Sequence, residues 1–306
     1  MNCSIVIPVY RGQETLVPLL ERLAKVLPAL AEEYEVILVN DDSPDDSWAV
    51  ICRLAERYAW VRGLRLMRNY GQHNATLCGV RAARYQICVT MDDDLQHPPE
   101  EIPVLLAELE KGYDVVYGAP KKLPQVWWRN WMTRAIKIIL ARVMGVPSVR
   151  NISAFRAFRT ALREAFVNFR SPSLTLDVLL SWGTSRFTSV QVDIEAADRP
   201  SNYRFGALVK AAILILTGFS TAPLRFASWL GFFMTLFGLA VLVYVLAIYF
   251  AAGSLPGFPF LASIISIFGG TQLFALGIFG EYLARMFDRI MDRPPYVVAG
   301  QVGMER

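Results

Sequence analysis

The sequence predicts an α/β domain built on a largely parallel sheet, followed by a two-helix hairpin that crosses a membrane. Two observations carry the first part: short β-rich runs alternate with helical patterns over roughly the first 120 residues, and two acidic clusters stand where such strands would end. The second part rests on one absence. From Phe226 to Gly280 the chain contains no Asp, Glu, Lys or Arg.

SIVIPVY opens the domain as a short apolar run suited to a buried strand, and a helical pattern follows near Glu14 to Ala31. EVILVN is the second strand, with a helix near Asp46 to Tyr58. VRGLRLM is the third, with GQHNATLCGVRAAR as its helix. QICVTMD, a helix after HPPEE, and DVVYG complete the rhythm. In sheets of this kind ligands sit beyond the carboxyl ends of the strands.

The uncharged run breaks once, at GSLPGFP (Gly253 to Pro259). Each half, Trp229 to Ala252 and Phe260 to Gly280, reaches the roughly 20 apolar residues that span a hydrocarbon core. A buried core hairpin is the competing reading, and two uncharged halves of this length speak against it. Lys210 and Arg225 precede the hairpin and Arg285, Arg289 and Arg293 follow it, while the turn has no basic residue, so both ends are expected to be cytoplasmic. The composition, 54% hydrophobic and 19% charged, is too apolar for an ordinary soluble domain, and the net charge of +4 suits an anionic inner leaflet. MNCSIVIPVY lacks the basic start and the apolar length of a signal peptide. Cys3, Cys52, Cys78 and Cys88 show no C-x-x-C spacing and are expected to be reduced core residues. The expected plan is a cytoplasmic domain over 1–200, a juxtamembrane amphipathic segment over 201–225, the hairpin over 226–284 and a cytoplasmic tail over 285–306. It makes a multi-pass membrane protein with both termini cytoplasmic, in contact with membrane lipids, with no nucleic-acid partner and able to form a homo-oligomer.

The stretch VTMDDDLQHPPEE, Val89 to Glu101, sets Asp92, Asp93 and Asp94 side by side. Adjacent carboxylates repel, and burying them without partners costs several kcal/mol, so the stretch either holds a cation or forms a solvated acidic turn. Alternate residues of a strand face the same way, which would let Asp92 and Asp94 converge on one ion with Asp93 turned elsewhere. Hard oxygen ligands suit Mg2+ or Mn2+ bridging the protein to substrate phosphates. The other cluster, NDDSPDDS from Asn40 to Ser47, follows EVILV, and Asp45 or Asp46 is expected to cap the next helix. Either cluster alone reads as a turn; two at equivalent strand ends point to a nucleotide-phosphate and metal site. His73 and His97 read as hydrogen-bonding or packing residues rather than metal ligands.

WWRNWMTRAIKIILARVMG, Trp127 to Gly145, sets tryptophans and branched residues mostly on one helical face and Arg129, Arg134 and Lys137 mostly on the other, as a helix in the headgroup region would. Phe205 to Phe219, with Lys210 its only charge, is a second such candidate. A core-packing helix is the alternative for each.

The combination of IPVY, NDDSPDDS, RNYGQH (Arg68 to His73), DDDLQHPPEEIP, STAPLR (Ser220 to Arg225) and GEYLARMFDRIMDRPPYVV (Gly280 to Val298) resembles the membrane-bound polyprenyl-phosphate glycosyltransferases of glycosyltransferase family 2. It is most similar to the bacterial undecaprenyl-phosphate transferases of lipid A aminoarabinose modification and O-antigen glucosylation, and more distantly to dolichyl-phosphate mannose synthases. The resemblance implies a GT-A nucleotide-sugar domain. It also implies inverting transfer from a nucleoside diphosphate sugar, UDP before others, to a polyprenyl phosphate with Mg2+ or Mn2+. In such proteins Pro8, Val9, Tyr10 and Asp41 would hold the uridine. Asp92, with Asp93 beside it, would face the ribose, Asp92 and Asp94 the metal, and Arg156 of SAFRAFR a phosphate. Arg199, Tyr203 and Arg225, with Arg129, would serve the acceptor.

Three departures from that pattern stand out. Arg150 replaces a common Asp, Asn202 a usual Lys, and Asn40 and Asp42 the commoner Asp and Gly. A phosphate monoester is largely dianionic at cytoplasmic pH and needs little help from a base, so Arg150 is expected to hold it instead. A catalytically silent nucleotide-sugar-binding scaffold, and a transferase acting on another lipid or a polysaccharide, are the alternatives.

Overall fold

Strand β1 (Cys3–Val9) is buried at all seven positions, as a strand covered on both faces must be. Among the described residues it lies near the middle of an eight-stranded sheet, whose strands run from edge to edge as Val298–Val302, Val61–Leu66, Tyr34–Asn40, Cys3–Val9, Ile87–Thr90, Arg156–Arg159, Val115–Pro120 and Phe187–Val192. The computed structural model describes residues 1–121, 152–171, 175–193, 221–252 and 257–303. They divide into two units, Met1–Ala212 with Asp292–Arg306, and Ile213–Met291.

In the first unit, α1 (Leu16–Leu30) turns Leu16, Leu19, Leu20, Leu23 and Leu27 to the core, the stripe of an amphipathic helix. β2 (Tyr34–Asn40), α2 (Ser47–Arg57), β3 (Val61–Leu66), α3 (Gln72–Ala82) and β4 (Ile87–Thr90) follow. β2 and β4 flank β1 in parallel, and β3 extends β2 in parallel. The chain therefore steps outward from β1 to β3 and returns to the other side of β1. That reversal opens a crevice between the ends of β1 and β4, the usual ligand position of such sheets. α3 is buried from Asn74 to Val80 and lies so close to β1 that a Cβ at Gly79 would stand 2.3 Å from Val6 Cγ1. Only glycine permits that approach.

Past a short turn of helix at Pro99–Glu101 come α4 (Ile102–Glu110) and β5 (Val115–Pro120). β6 (Arg156–Arg159) then inserts antiparallel between β4 and β5, while β7 (Phe187–Val192), after α5 (Leu176–Gly183), joins β5 in parallel. All four cysteines are free, and Cys3, Cys78 and Cys88 are buried.

The second unit contains α6 (Ala222–Ala252) and α7 (Phe258–Ile290). Ala222–Ala251 and Ile267–Ile290 are long and apolar enough to cross a membrane, with mean hydropathies of 2.4 and 1.2. The pair is antiparallel: Phe226 meets Phe274 edge-on at 6.5 Å, and a Cβ on Gly238 would lie 2.7 Å from the Phe268 ring. Both helices overrun the expected hairpin limits of 226 and 284.

The stretch expected as a tail over 285–306 contains a strand. β8 (Val298–Val302) returns to the first unit and pairs antiparallel with β3, Gly63 opposite Val302 and Leu66 opposite Val298. β3 is otherwise an edge with unpaired backbone groups, which is the physical reason for a short strand there.

Candidate active site

Three loops leave the carboxyl ends of β1, β2 and β4 beside the crevice. Each turns through a non-glycine residue of positive φ: Arg11 at 59°, Asp42 at 49° and Leu95 at 63°. Side chains rarely adopt that region, and such strain gathers where a loop must hold groups in place.

At the end of β2, Asp41 is 3% exposed, and its carboxylate accepts the Tyr70 N–H at 2.7 Å and the Gly71 N–H at 2.8 Å. Gly71 sits at φ 90°, which suits only glycine. Burial pushes the Asp41 carboxyl up, and the two N–H groups oppose it. The rest of this cluster ties its own turn to the loop after β1, where the Arg11 N–H donates to Ser43 Oγ at 2.6 Å and the Gly12 N–H to Ser47 Oγ at 3.0 Å. Asp45 accepts the Ser47 hydroxyl at 2.6 Å, the Ser47 N–H at 3.2 Å and the Gln13 N–H at 3.3 Å, and the hydroxyls of Ser43 and Ser47 help to hold its carboxyl below the usual range despite burial. Asp46, at the N-cap of α2, makes no side-chain cap bond.

The three consecutive aspartates stand beyond β4, which ends at Thr90, so strand alternation is not what sorts them. They lie in a bend, and their neighbours separate them. Asp92 accepts the Gln72 amide at 2.6 Å, and its backbone N–H donates to His97 Nδ1 at 3.2 Å. Asp93 turns to β1 and accepts the Tyr10 N–H at 3.1 Å. Asp94 accepts the Gln96 N–H at 3.1 Å and the Gln96 side-chain amide. His97 is 8% exposed and stacks on Phe155 at 5.3 Å, a packing and hydrogen-bonding role. Burial lowers its pKa, so the ring is neutral and Nδ1 free to accept.

Pro8, Val9, Tyr10, Asp41, Asp92, Asp93 and Asp94 line one cavity of about 280 Å³, with Asn69, Gly71 and Gln72 completing its wall. Burial first, and then the charges of Asp92 and Asp94, push Asp93 up to about 7 against the pull of the Tyr10 N–H; burial raises Asp92 too. A cation relieves such crowding, and the oxygen donors fit a hard divalent ion. Among the described residues no three His, Cys, Asp or Glu side chains surround one point. Such an ion would complete its shell with water and substrate phosphates, as Mg2+ commonly does.

The Asp93 shift has a measurable consequence. Folded Asp93 takes up its proton near 7, against an ordinary value of 3.8, so the metal-free protein loses stability as pH rises through that interval. Asp93→Asn keeps an oxygen for the Tyr10 N–H. In chelator it should raise the Tm at pH 8 and leave it unchanged near pH 4; an equal change at both would rule out charge as the cause.

Arg156, on β6, is 3% exposed. Its guanidinium pairs with Asp177 of α5, and its Nε donates to Thr90 Oγ1 at 3.0 Å. Tyr117 donates its hydroxyl to the same Asp177 oxygen at 2.9 Å. The arginine expected at a phosphate is thus a buried, paired charge. It borders a second hollow that shares Pro8, Gln72 and Asp92 with the first. Arg129, Arg150, Arg199 and Tyr203, with both candidate headgroup helices, lie outside the described residues. Arg225 is exposed in the first turn of α6, in the other unit.

Sequence reasoning assigned no chemistry to Gln72, Gln96, Tyr117 or Asp177. Asp177 carried a signal, because a lone acid inside the apolar run LTLDVLL is seldom buried without a partner. A larger hollow, about 740 Å³, lies beside Arg81, Arg163, Arg170, Asp292 and Tyr296 and contains no expected site residue. Arg81 there donates to the carbonyls of Phe166, Val167 and Phe169, and Arg170 pairs with Asp292 at 3.0 Å.

The profile of glycosyl transferase family 2 matches residues 4–169, which contain this entire cavity. The chain belongs to glycosyl transferase family 2. This glycosyltransferase is 34% identical over 310 residues, 99% of its length and 94% of the relative's, to the undecaprenyl-phosphate 4-deoxy-4-formamido-L-arabinose transferase of Proteus mirabilis. It is 36% identical over 303 residues to the enzyme of the same name from Shewanella sediminis, covering 96% of this chain and 91% of that one. Its fold is shared with glucosyl-3-phosphoglycerate synthase from Mycobacterium tuberculosis, crystallised with Mn2+, uridine diphosphate and phosphoglyceric acid. The TM-score is 0.53 at 17% identity, over 71% of this chain and 78% of that one.

Proposed function

We propose that this glycosyltransferase carries out inverting, metal-dependent transfer of a sugar from a nucleoside diphosphate, UDP before others, to undecaprenyl phosphate. The reaction takes place at the cytoplasmic leaflet and serves lipopolysaccharide, O-antigen or other cell-envelope glycan modification. The observation that carries the reading is the convergence of Pro8–Tyr10, Asp41 and Asp92–Asp94 on one cavity at the reversal of the sheet. The names of relatives at 34% and 36% identity support the acceptor.

In this reading Pro8, Val9, Tyr10 and Asp41 bracket the uridine, Asp93 fixes the Tyr10 backbone beside it, and Asp92 and Asp94 hold Mg2+ or Mn2+. A divalent cation held by them would offset the charge that the departing nucleoside diphosphate takes up. The acceptor phosphate, with a second pKa of about 6, is already largely a dianion, and an oxygen of it attacks from the opposite face without a covalent intermediate. Arg129, Arg150, Arg199, Tyr203 and Arg225 are assigned to the acceptor, since guanidinium forks match phosphate geometry. The buried Arg156 positions the wall rather than the lipid phosphate.

The test is turnover. Full-length protein in detergent, given a short-chain polyprenyl phosphate and a panel of nucleotide sugars, should glycosylate the lipid from a UDP-sugar, stop with chelator and resume with Mg2+ or Mn2+. Binding of nucleotide sugars without transfer would leave a silent scaffold, and transfer to a saccharide instead would change the acceptor class.

The membrane reading is supported by the two apolar helices and by the return of β8 to the sheet. β1 to β7 precede the two helices in the chain and β8, which follows them, belongs to the same sheet, and an even number of crossings is compatible with that order. A periplasm-dependent reporter between Gly253 and Pro259 should be active and one at Arg306 silent. The reverse pattern would remove the site from its supply of nucleotide sugar.

A further inference from the structure

The second hollow, about 290 Å³, is near the lower end of small-ligand sites and shares Pro8, Gln72 and Asp92 with the first as lining. Its wall is polar and already organised. Arg156 is held by Asp177 and Thr90, and Thr76 donates its hydroxyl to the Gln72 carbonyl at 2.8 Å. His73 joins this wall from the first turn of α3. It is solvent-accessible and has no hydrogen-bond partner among the described residues. In its neutral form the imidazole offers one donor and one acceptor.

Charge limits what fits. Asp177 cancels Arg156, and Asp92 in the shared lining adds a further negative charge, so a phosphate dianion meets no free cation among the described lining residues. A neutral ring bearing hydroxyls suits the same wall. We propose that this hollow takes the glycosyl group of the donor and that His73 reads its hydroxyls, which makes His73 a specificity-determining residue. The inference rests on the proposed function and adds to it a named residue and a place for the sugar.

Binding separates the two. Full-length wild type, His73→Ala and His73→Gln in detergent with Mg2+ are titrated calorimetrically with UDP, UDP-glucose, UDP-galactose and UDP-N-acetylglucosamine. UDP affinity should stay within about twofold in all three proteins. For the UDP-sugar that wild type binds best, His73→Ala should lose about tenfold, the size of one hydrogen bond left unmade, and His73→Gln should recover part of it. The differences between the sugars should shrink in the same order. Equal losses for UDP and UDP-sugars, or none, would overturn the assignment. So would an increased KM for polyprenyl phosphate with donor binding unchanged, which would put the acceptor phosphate in this hollow. A wild type that discriminates the sugars by binding but transfers none would defeat the proposed function and leave the reading of the hollow standing.

Discussion

Asp94→Ala is expected to lower kcat/KM by about a thousandfold, near 4 kcal/mol of transition-state stabilisation, with the fold intact. The side chain is exposed and its hydrogen bonds stay within its own turn, to Gln96, so its loss leaves no buried group unpaired. What it removes is half of the oxygen pair assigned to the cation. Asp93→Ala should cost far less, because that carboxylate serves the Tyr10 backbone rather than the ion. Steady-state transfer with saturating Mg2+ or Mn2+ measures both. Equal losses at positions 93 and 94 would mean that the bend does not divide the aspartates as their hydrogen bonds suggest.

The other large effect is on stability. Asp177→Ala removes the partner of a buried guanidinium and the acceptor of the Tyr117 hydroxyl together. Breaking such a pair from one side costs about 3 to 5 kcal/mol, which at 2 to 4 °C per kcal/mol is a fall in Tm of roughly 10 °C. Replacing both partners, as Arg156→Met with Asp177→Leu, should recover most of it, since a well-packed apolar pair is often as stable as a buried ionic one. A fall of no more than about 2 °C for the single variant would show that solvent reaches the pair.

The parallel half of the sheet was legible because its strands are fully buried and announce themselves as unbroken apolar runs; SIVIPV and EVILV have no other use. The hairpin was legible for a related reason, the absence of charge over two helix lengths. β6 and β7 were not. Arg156–Arg159 is only four residues long and alternates Arg with Ala and Phe, so its buried arginine reads as an exposed one until Asp177 is brought beside it from 21 positions away. The acidic clusters marked the site because adjacent carboxylates at a strand end repel one another unless a partner offsets them. Their division of labour stayed hidden: Asp41, Asp45 and Asp93 are each spoken for by backbone N–H groups of distant loops, and sequence spacing does not encode those contacts.

β8 gives the chain an order of assembly. It follows both long helices in the chain, and it covers the outer edge of β3, a strand made more than 200 residues earlier. Throughout the synthesis of both long helices that edge keeps unpaired backbone groups, the kind of surface on which nascent chains pair wrongly. The sheet that carries the site therefore closes only after the helices exist. A chain interrupted before Val298 would be left with an open edge, and an intact β3–β8 ladder marks a copy whose helical unit has been made in full.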